Sequence, residues 1–179
     1  MRKRERAHEI DLLKRGLSQE DAKIGARFLT DIFNSDNLAA VIRAHLYLEN
    51  SLNLLIEEHL SEPGAVDIER QSFGFKVDLA VGLDVLPLRW EQPLLVVNSF
   101  RNRLAHDIEA RITQTDVDRL FKSFNKFDRQ TMATPATLHA TLAYLHGCLY
   151  GQLKRARNAS KPKRWKREAD ACRERESDN

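Results

Sequence analysis

Residues 36–60, DNLAAVIRAHLYLENSLNLLIEEHL, decide the fold class. Leu38, Val41, Ile42, Leu46, Leu48, Leu52, Leu55 and Ile56 recur at three- and four-residue steps, which is the period of an α-helix with a broad buried face. Asp36 or Asn37 is suited to cap its start, because a short polar side chain satisfies one of the orphan N–H groups there. Pro63-Gly64 stops it. A helix of this length with so wide an apolar face needs several partner helices, and the flanking sequence offers them.

Upstream, Ser18 is an N-cap for a helix carrying Ile24, Phe28, Leu29, Ile32 and Phe33, and Glu5–Arg15 reads as a short amphipathic helix stopped by Gly16. Downstream, the helical recurrence resumes from Asp67 through Ile68, Phe73, Phe75, Val77, Leu79, Ala80, Leu83 and Leu86, and Pro87 closes it. Trp90 opens the next helix, with Pro93 tolerated in the first turn, running to about His106. Thr113 or Thr115 caps a short helix with Val117, Leu120, Phe121 and Phe124. Thr134-Pro135 starts a last long one through Leu138, Leu142, Leu145 and Leu149. The spacing predicts an all-α chain, an irregular helical bundle without internal repeats, with residues 1–158 as one domain and 159–179 as a charged, flexible tail.

Composition agrees. Seven Gly and five Pro in 179 residues are too few for the turns of a many-stranded β fold. No apolar run is long enough to span a bilayer, and the charged start MRKRERAHEIDLLKR lacks the apolar core of a secretory signal. Cys148 and Cys172 have no CxxC spacing, so the expectation is two reduced thiols in a cytoplasmic protein. The net charge of +3 is unevenly spread: residues 153–167, LKRARNASKPKRWKR, hold eight basic and no acidic side chains. Lys154, Arg155, Arg157, Lys161, Lys163, Arg164, Lys166 and Arg167 can track a phosphate backbone while Trp165 stacks on a base, which makes RNA the expected partner. The plainer alternative is a solvated tail.

Arg101–Asp107, RNRLAHD, is the stretch best equipped for chemistry. Asn102 and His106, four apart, meet on one helix face, and Arg101 is long enough to converge on it. An imidazole titrating near neutrality can take the proton from a ribose 2′-hydroxyl, while the guanidinium holds the phosphate and Asn102 fixes the tautomer or touches the phosphate. Asp107 and Glu109 are not spaced as a divalent-ion cage, so no metal and no other cofactor is expected. The competing structural account is a helix-end His favoured by the macrodipole and an Arg paired to a nearby acid. Glu49, beside Asn50 in the long helix, is a candidate supporting carboxylate for the His106 region, as is Asp107. His45 and Glu49 have metal-ligand spacing, but nothing completes a zinc set. Phe121, Phe124 and Phe127 read as core and boundary packing.

RNRLAH resembles the R-x(4–6)-H motif of the HEPN superfamily, including the polar residue, here Asn102, that often follows the Arg. That resemblance implies a helical bundle, commonly dimeric, and in many members a metal-independent endoribonuclease of toxin–antitoxin or antiviral systems. It implies catalytic roles for Arg101, Asn102 and His106, a homodimer, and an antitoxin or regulatory protein as a further partner. More widely, HLYLENSLNLLIEEHL, FGFKVDLAVGLDVL, LLVVNSFRNRLAHD and ITQTDVDRLFKSF are similar to the mannitol operon repressor family over residues 38–125. That likeness implies a different function, a non-catalytic transcriptional regulator or scaffold without a helix-turn-helix reader. Its members often lack the full Arg-Asn…His set, which this chain keeps.

Overall fold

The long helix predicted from residue 36 is the axis of the structure. The computed structural model describes residues 19–132 and 136–177, with 160–177 as backbone. Among the described residues there are seven α-helices and no strand. The central one, α2 (Asn37–Glu57), follows α1 (Gln19–Phe33) and is capped by the Asp36 carboxylate, which accepts from the Ala39 N–H at 2.8 Å. Ala40, Val41, Ala44, Leu48, Leu52, Leu55 and Ile56 bury its inner face. That face is covered by α7 (Leu138–Ser177), α1, α3 (Phe73–Gly82) and α4 (Glu91–His106).

Helix α3 starts later than its sequence suggests. Ser72 caps it through Oγ to the Phe75 N–H, and residues 67–72 are turns. Ile68, 3% exposed, drops from that loop into the core and so imitates a helical position. The far end of α3 is closed by Asp84 in the left-handed region (φ 57°), which lets the Val85 and Leu86 N–H groups both return to the Ala80 carbonyl. Asp is among the few non-glycine residues that accept that conformation cheaply. After Pro87, a 3-10 turn (Leu88–Trp90) buries Trp90 and launches α4.

Helix α5 (Gln114–Ser123) opens with a full capping box between Thr113 and Asp116. The sequence reading did not anticipate α6 (Lys126–Thr131), which is a single short helix capped by Asn125. It exists to present Asp128, 1% exposed, as acceptor for the Trp90 Nε1–H (3.3 Å) and the Tyr144 hydroxyl (2.8 Å). The last helix begins at Leu138, and the expected start at Thr134-Pro135 lies outside the described residues. Thr137 supplies the hydroxyl that accepts from the Ala140 N–H.

α7 runs parallel to α2. His139 Nε2 lies 3.0 Å from the Ser35 carbonyl at one end, and Arg157 pairs with Glu58 at the other (3.5 Å). Leu138, Leu142, Leu145, Leu149, Leu153 and Ala156 form its buried stripe. The helix backbone continues to Ser177, about 30 Å beyond Ala156 at 1.5 Å per residue. The segment expected as a tail, 159–179, is thus helical backbone through Ser177. The expected first helix at 5–15 lies outside the described residues. No helix of the described residues is long and apolar enough to cross a membrane.

Candidate active site on the last turns of α4

α4 buries Leu94, Val97 and Phe100 and leaves its opposite face in solvent. The helix ends because Asp107 offers the chain an alternative. Its Oδ1 accepts from the Glu109 N–H at 2.9 Å, and its own backbone turns extended at φ −132°. This local side-chain turn competes with helix continuation. Asp107 thus fixes where α4 stops, which leaves His106 as the final helical residue.

Arg101, Asn102 and His106 are all exposed. Arg101 donates from Nη1 to Asn102 Oδ1 at 3.2 Å, so the long arginine side chain reaches Asn102, while no contact joins Asn102 to His106 among the described residues. His106 makes no hydrogen bond, and Arg101 has no ion pair, among the described residues. The neighbouring Arg103 contrasts sharply. Its guanidinium holds Asp116 at 3.0 and 2.7 Å and also donates to the Arg111 carbonyl. Of two arginines on one turn, one is a structural clamp and the other is unclaimed by any carboxylate.

Behind Arg101 lies a polar seam running into the core. His45, 5% exposed, brings Nε2 within 3.1 Å of Asn98 Oδ1 and stacks obliquely on Phe73, ring centroids 4.4 Å apart. Burial lowers its pKa; the Arg101 and Lys76 charges push the same way, while Asn98 and Glu49 oppose. The imidazole is therefore neutral near pH 7. Glu49 accepts from Lys76 Nζ at 2.7 Å and sits 3.9 Å from His45 Nδ1. Lys76 is only 1% exposed and donates also to the Glu69 carbonyl at 3.3 Å. Glu49 is thus engaged by Lys76 and His45, and no contact joins it to His106 among the described residues.

The basic block lies elsewhere. Lys154 is half-buried, Arg155 exposed, and Arg157 paired with Glu58, while the side chains of Lys161, Lys163, Arg164, Trp165, Lys166 and Arg167 lie outside the described residues. Residue 58 is thirteen positions beyond His45, so Arg157 and the Arg101 patch are about 20 Å apart along the α2 axis. Two surface hollows, of about 470 and 510 Å³, are lined by neither Arg101, Asn102 nor His106, and Arg157 borders the first. The first lies between α1, α2 and α7 over His146, and the second lies between α4 and α5. Cys148 is a free thiol, pushed up to about 11 by burial. No group of three His, Cys, Asp or Glu among the described residues is arranged to hold a metal ion.

The chain stands alone in comparison. No family model, no curated protein and no solved structure matches it. Sequence reasoning missed Asn98 and Lys76. Asn98 had a signal, because it precedes Asn102 by four and His106 by eight and so shares their face. Lys76 sits in the apolar run FGFKVDLAVG on the same side as Phe73, Val77 and Ala80, where a lone lysine needs a buried carboxylate.

Proposed function

We propose that this chain is a metal-independent endoribonuclease of the HEPN kind. The observation that carries the reading is that an exposed Arg101 without an ion pair and an exposed His106 without a hydrogen bond, among the described residues, stand on the last turns of one helix, with Asn102 bonded to Arg101. An arginine kept from its neighbouring carboxylates, while Arg103 two residues on is not, is available for an anion. His106 acts as base on the ribose 2′-hydroxyl. The oxygen attacks the adjacent phosphorus, the P–O5′ bond breaks, the leaving 5′-oxygen takes a proton from water while His106 returns its own to solvent, and a 2′,3′-cyclic phosphate results. Arg101 neutralises the charge that builds on the phosphoryl oxygens in the transition state.

A homodimer fits this reading, because the patch is exposed and a second copy would wall it into a cleft. Ile108, 90% exposed just past the motif, is apolar surface that such a partner would cover. The basic residues of α7 supply sequence-independent grip on RNA. A second reading, the regulator or scaffold of the mannitol repressor type, is favoured by one observation: no hydrogen bond among the described residues orients His106, and a general base is ordinarily held by a partner group. Incubating purified protein with mixed RNAs, with and without EDTA, beside His106→Ala separates the two. The nuclease reading expects cleavage that survives EDTA and is lost in the variant. Intact RNA in every lane favours the regulator.

A further inference from the structure

Asn98 sits one turn before Asn102 and two before His106, so all three share a face of α4. It is half-buried, and its side chain is oriented by a contact from another helix. Its Oδ1 lies 3.1 Å from His45 Nε2. An amide oxygen only accepts, so His45 donates and is the Nε2–H tautomer. His45 cannot swing away, because Phe73 packs on its ring and Glu49 on α2 and Lys76 on α3 close the Nδ1 side. With its oxygen taken, the planar carboxamide turns its amino group away from His45. That Nδ2 has no protein partner and is not among the buried unpaired atoms, so it opens to solvent. Beside it stands Arg101, whose charge is felt at His45 and whose guanidinium has no carboxylate.

Two groups that can only donate thus face one patch. A phosphodiester offers oxygens that only accept and carries the negative charge that a guanidinium without a carboxylate can neutralise, which a nucleobase edge lacks. We infer that Asn98, held by His45, is a substrate-contacting residue that donates from Nδ2 to a non-bridging phosphodiester oxygen alongside Arg101. The inference rests on the nuclease reading for its substrate, and it separates phosphate contact at Asn98 and Arg101 from base chemistry at His106. His45 is a positioning residue. Its substitution acts only by freeing the Asn98 amide to turn over.

The test is the affinity of full-length protein for a mixed-sequence 2′-O-methyl RNA oligonucleotide, followed by fluorescence anisotropy. This probe keeps every phosphodiester and cannot be cut by the 2′-oxygen. Asn98→Ala should weaken binding on the order of 10-fold, as expected for losing one hydrogen bond to a charged group. Asn98→Asp should weaken it further by setting a carboxylate against the phosphate. His45→Leu should resemble Asn98→Ala, and His45→Gln, which restores an N–H donor, should recover most of the affinity. On cleavable RNA, Asn98→Ala should raise KM more than it lowers kcat. Wild-type binding that Asn98→Ala and Asn98→Asp leave unchanged, with melting temperatures intact, overturns the inference. Binding that responds to Asn98 without any cleavage of ordinary RNA supports it and removes the nuclease reading instead. No binding by the wild type removes both.

Discussion

Arg103 and Asp116 join α4 to α5 through two hydrogen bonds, at 3.0 and 2.7 Å, with the carboxylate side chain 10% exposed. The same carboxylate closes the capping box of α5 by accepting from the Thr113 N–H at 2.9 Å. The Arg103 guanidinium holds the Asp116 pKa down to about 2. Because the folded value is depressed, the stability it brings is present above the ordinary carboxylate pKa and is lost as pH falls from about 4 towards 2. Asp116→Ala should cost about 1–3 kcal/mol, combining a charged hydrogen bond and a cap.

Arg101, two residues before Arg103, should behave in the opposite way. Arg101→Ala is expected to leave the urea midpoint nearly unchanged, since surface substitutions away from such contacts move stability by about 0.5 kcal/mol or less. Activity should collapse, and Arg101→Lys should also be damaging because an ammonium lacks the planar fork. Arg103→Ala should lower stability first. Paired melting and cleavage measurements on the two variants check the division. An Arg101→Ala protein that loses stability but keeps its rate would reverse the roles.

The Lys76–Glu49 pair gives a third expectation. With Lys76 at 1% exposure, removing its partner strands an ammonium in the core. Glu49→Ala should therefore destabilise by about 3–5 kcal/mol, whereas replacing both partners with apolar residues should cost far less. Denaturant titration of Glu49→Ala and of Lys76→Met/Glu49→Leu measures the difference. Equal losses in the two proteins would show that the pair contributes net attraction rather than mutual neutralisation.

Acid should weaken the fold through its buried imidazoles. His146, stacked 3.8 Å from the Phe28 ring centroid, is pushed down to about 4 by burial, and His45 is lowered by burial as well. The unfolded chain takes up protons near pH 6.5 and the fold resists until lower pH. Stability is therefore full above that range and falls as pH drops from about 6.5 to 4, by about 3 kcal/mol for His146 alone. His146→Phe keeps the ring and removes the titration, so its stability should change less between pH 7 and 4.5. A variant with the wild-type pH slope would exclude His146 as the source.

The helices that bury a wide face, α2, α4 and the first half of α7, were legible because their apolar spacing is long and regular. Ile68 misled because a loop residue entering a core leaves the same letter in the sequence as a helical one. α6 was invisible for the opposite reason. A six-residue helix has no period to read, and its reason for existing, Asp128 under Trp90 and Tyr144, is a contact across 38 and 16 residues. At the site, Arg101, Asn102 and His106 were read from spacing within one helix. The His45–Asn98 link joins residues 53 apart and belongs to the tertiary structure alone.

The basic end of α7 carries its own expectation. Deleting residues 160–179 removes Lys161, Lys163, Arg164, Lys166 and Arg167 together with Trp165. RNA binding should weaken and become less salt-dependent, because fewer counterions are released. The slope of log affinity against log salt reports this directly, and an unchanged slope would make the segment a solvated appendage.

The most direct test of the central claim is the chemistry of the cut ends. RNA cleaved by the wild type in EDTA should carry 2′,3′-cyclic phosphates, and an oligonucleotide with a single deoxyribose at the scissile position should be inert there. His106→Ala should lower the rate on the order of 100-fold or more while its melting temperature holds, since a helix-end His contributes only about 0.3–1 kcal/mol through the dipole. Cleavage that accepts the deoxyribose substrate, or that persists at full rate in His106→Ala, would contradict the account.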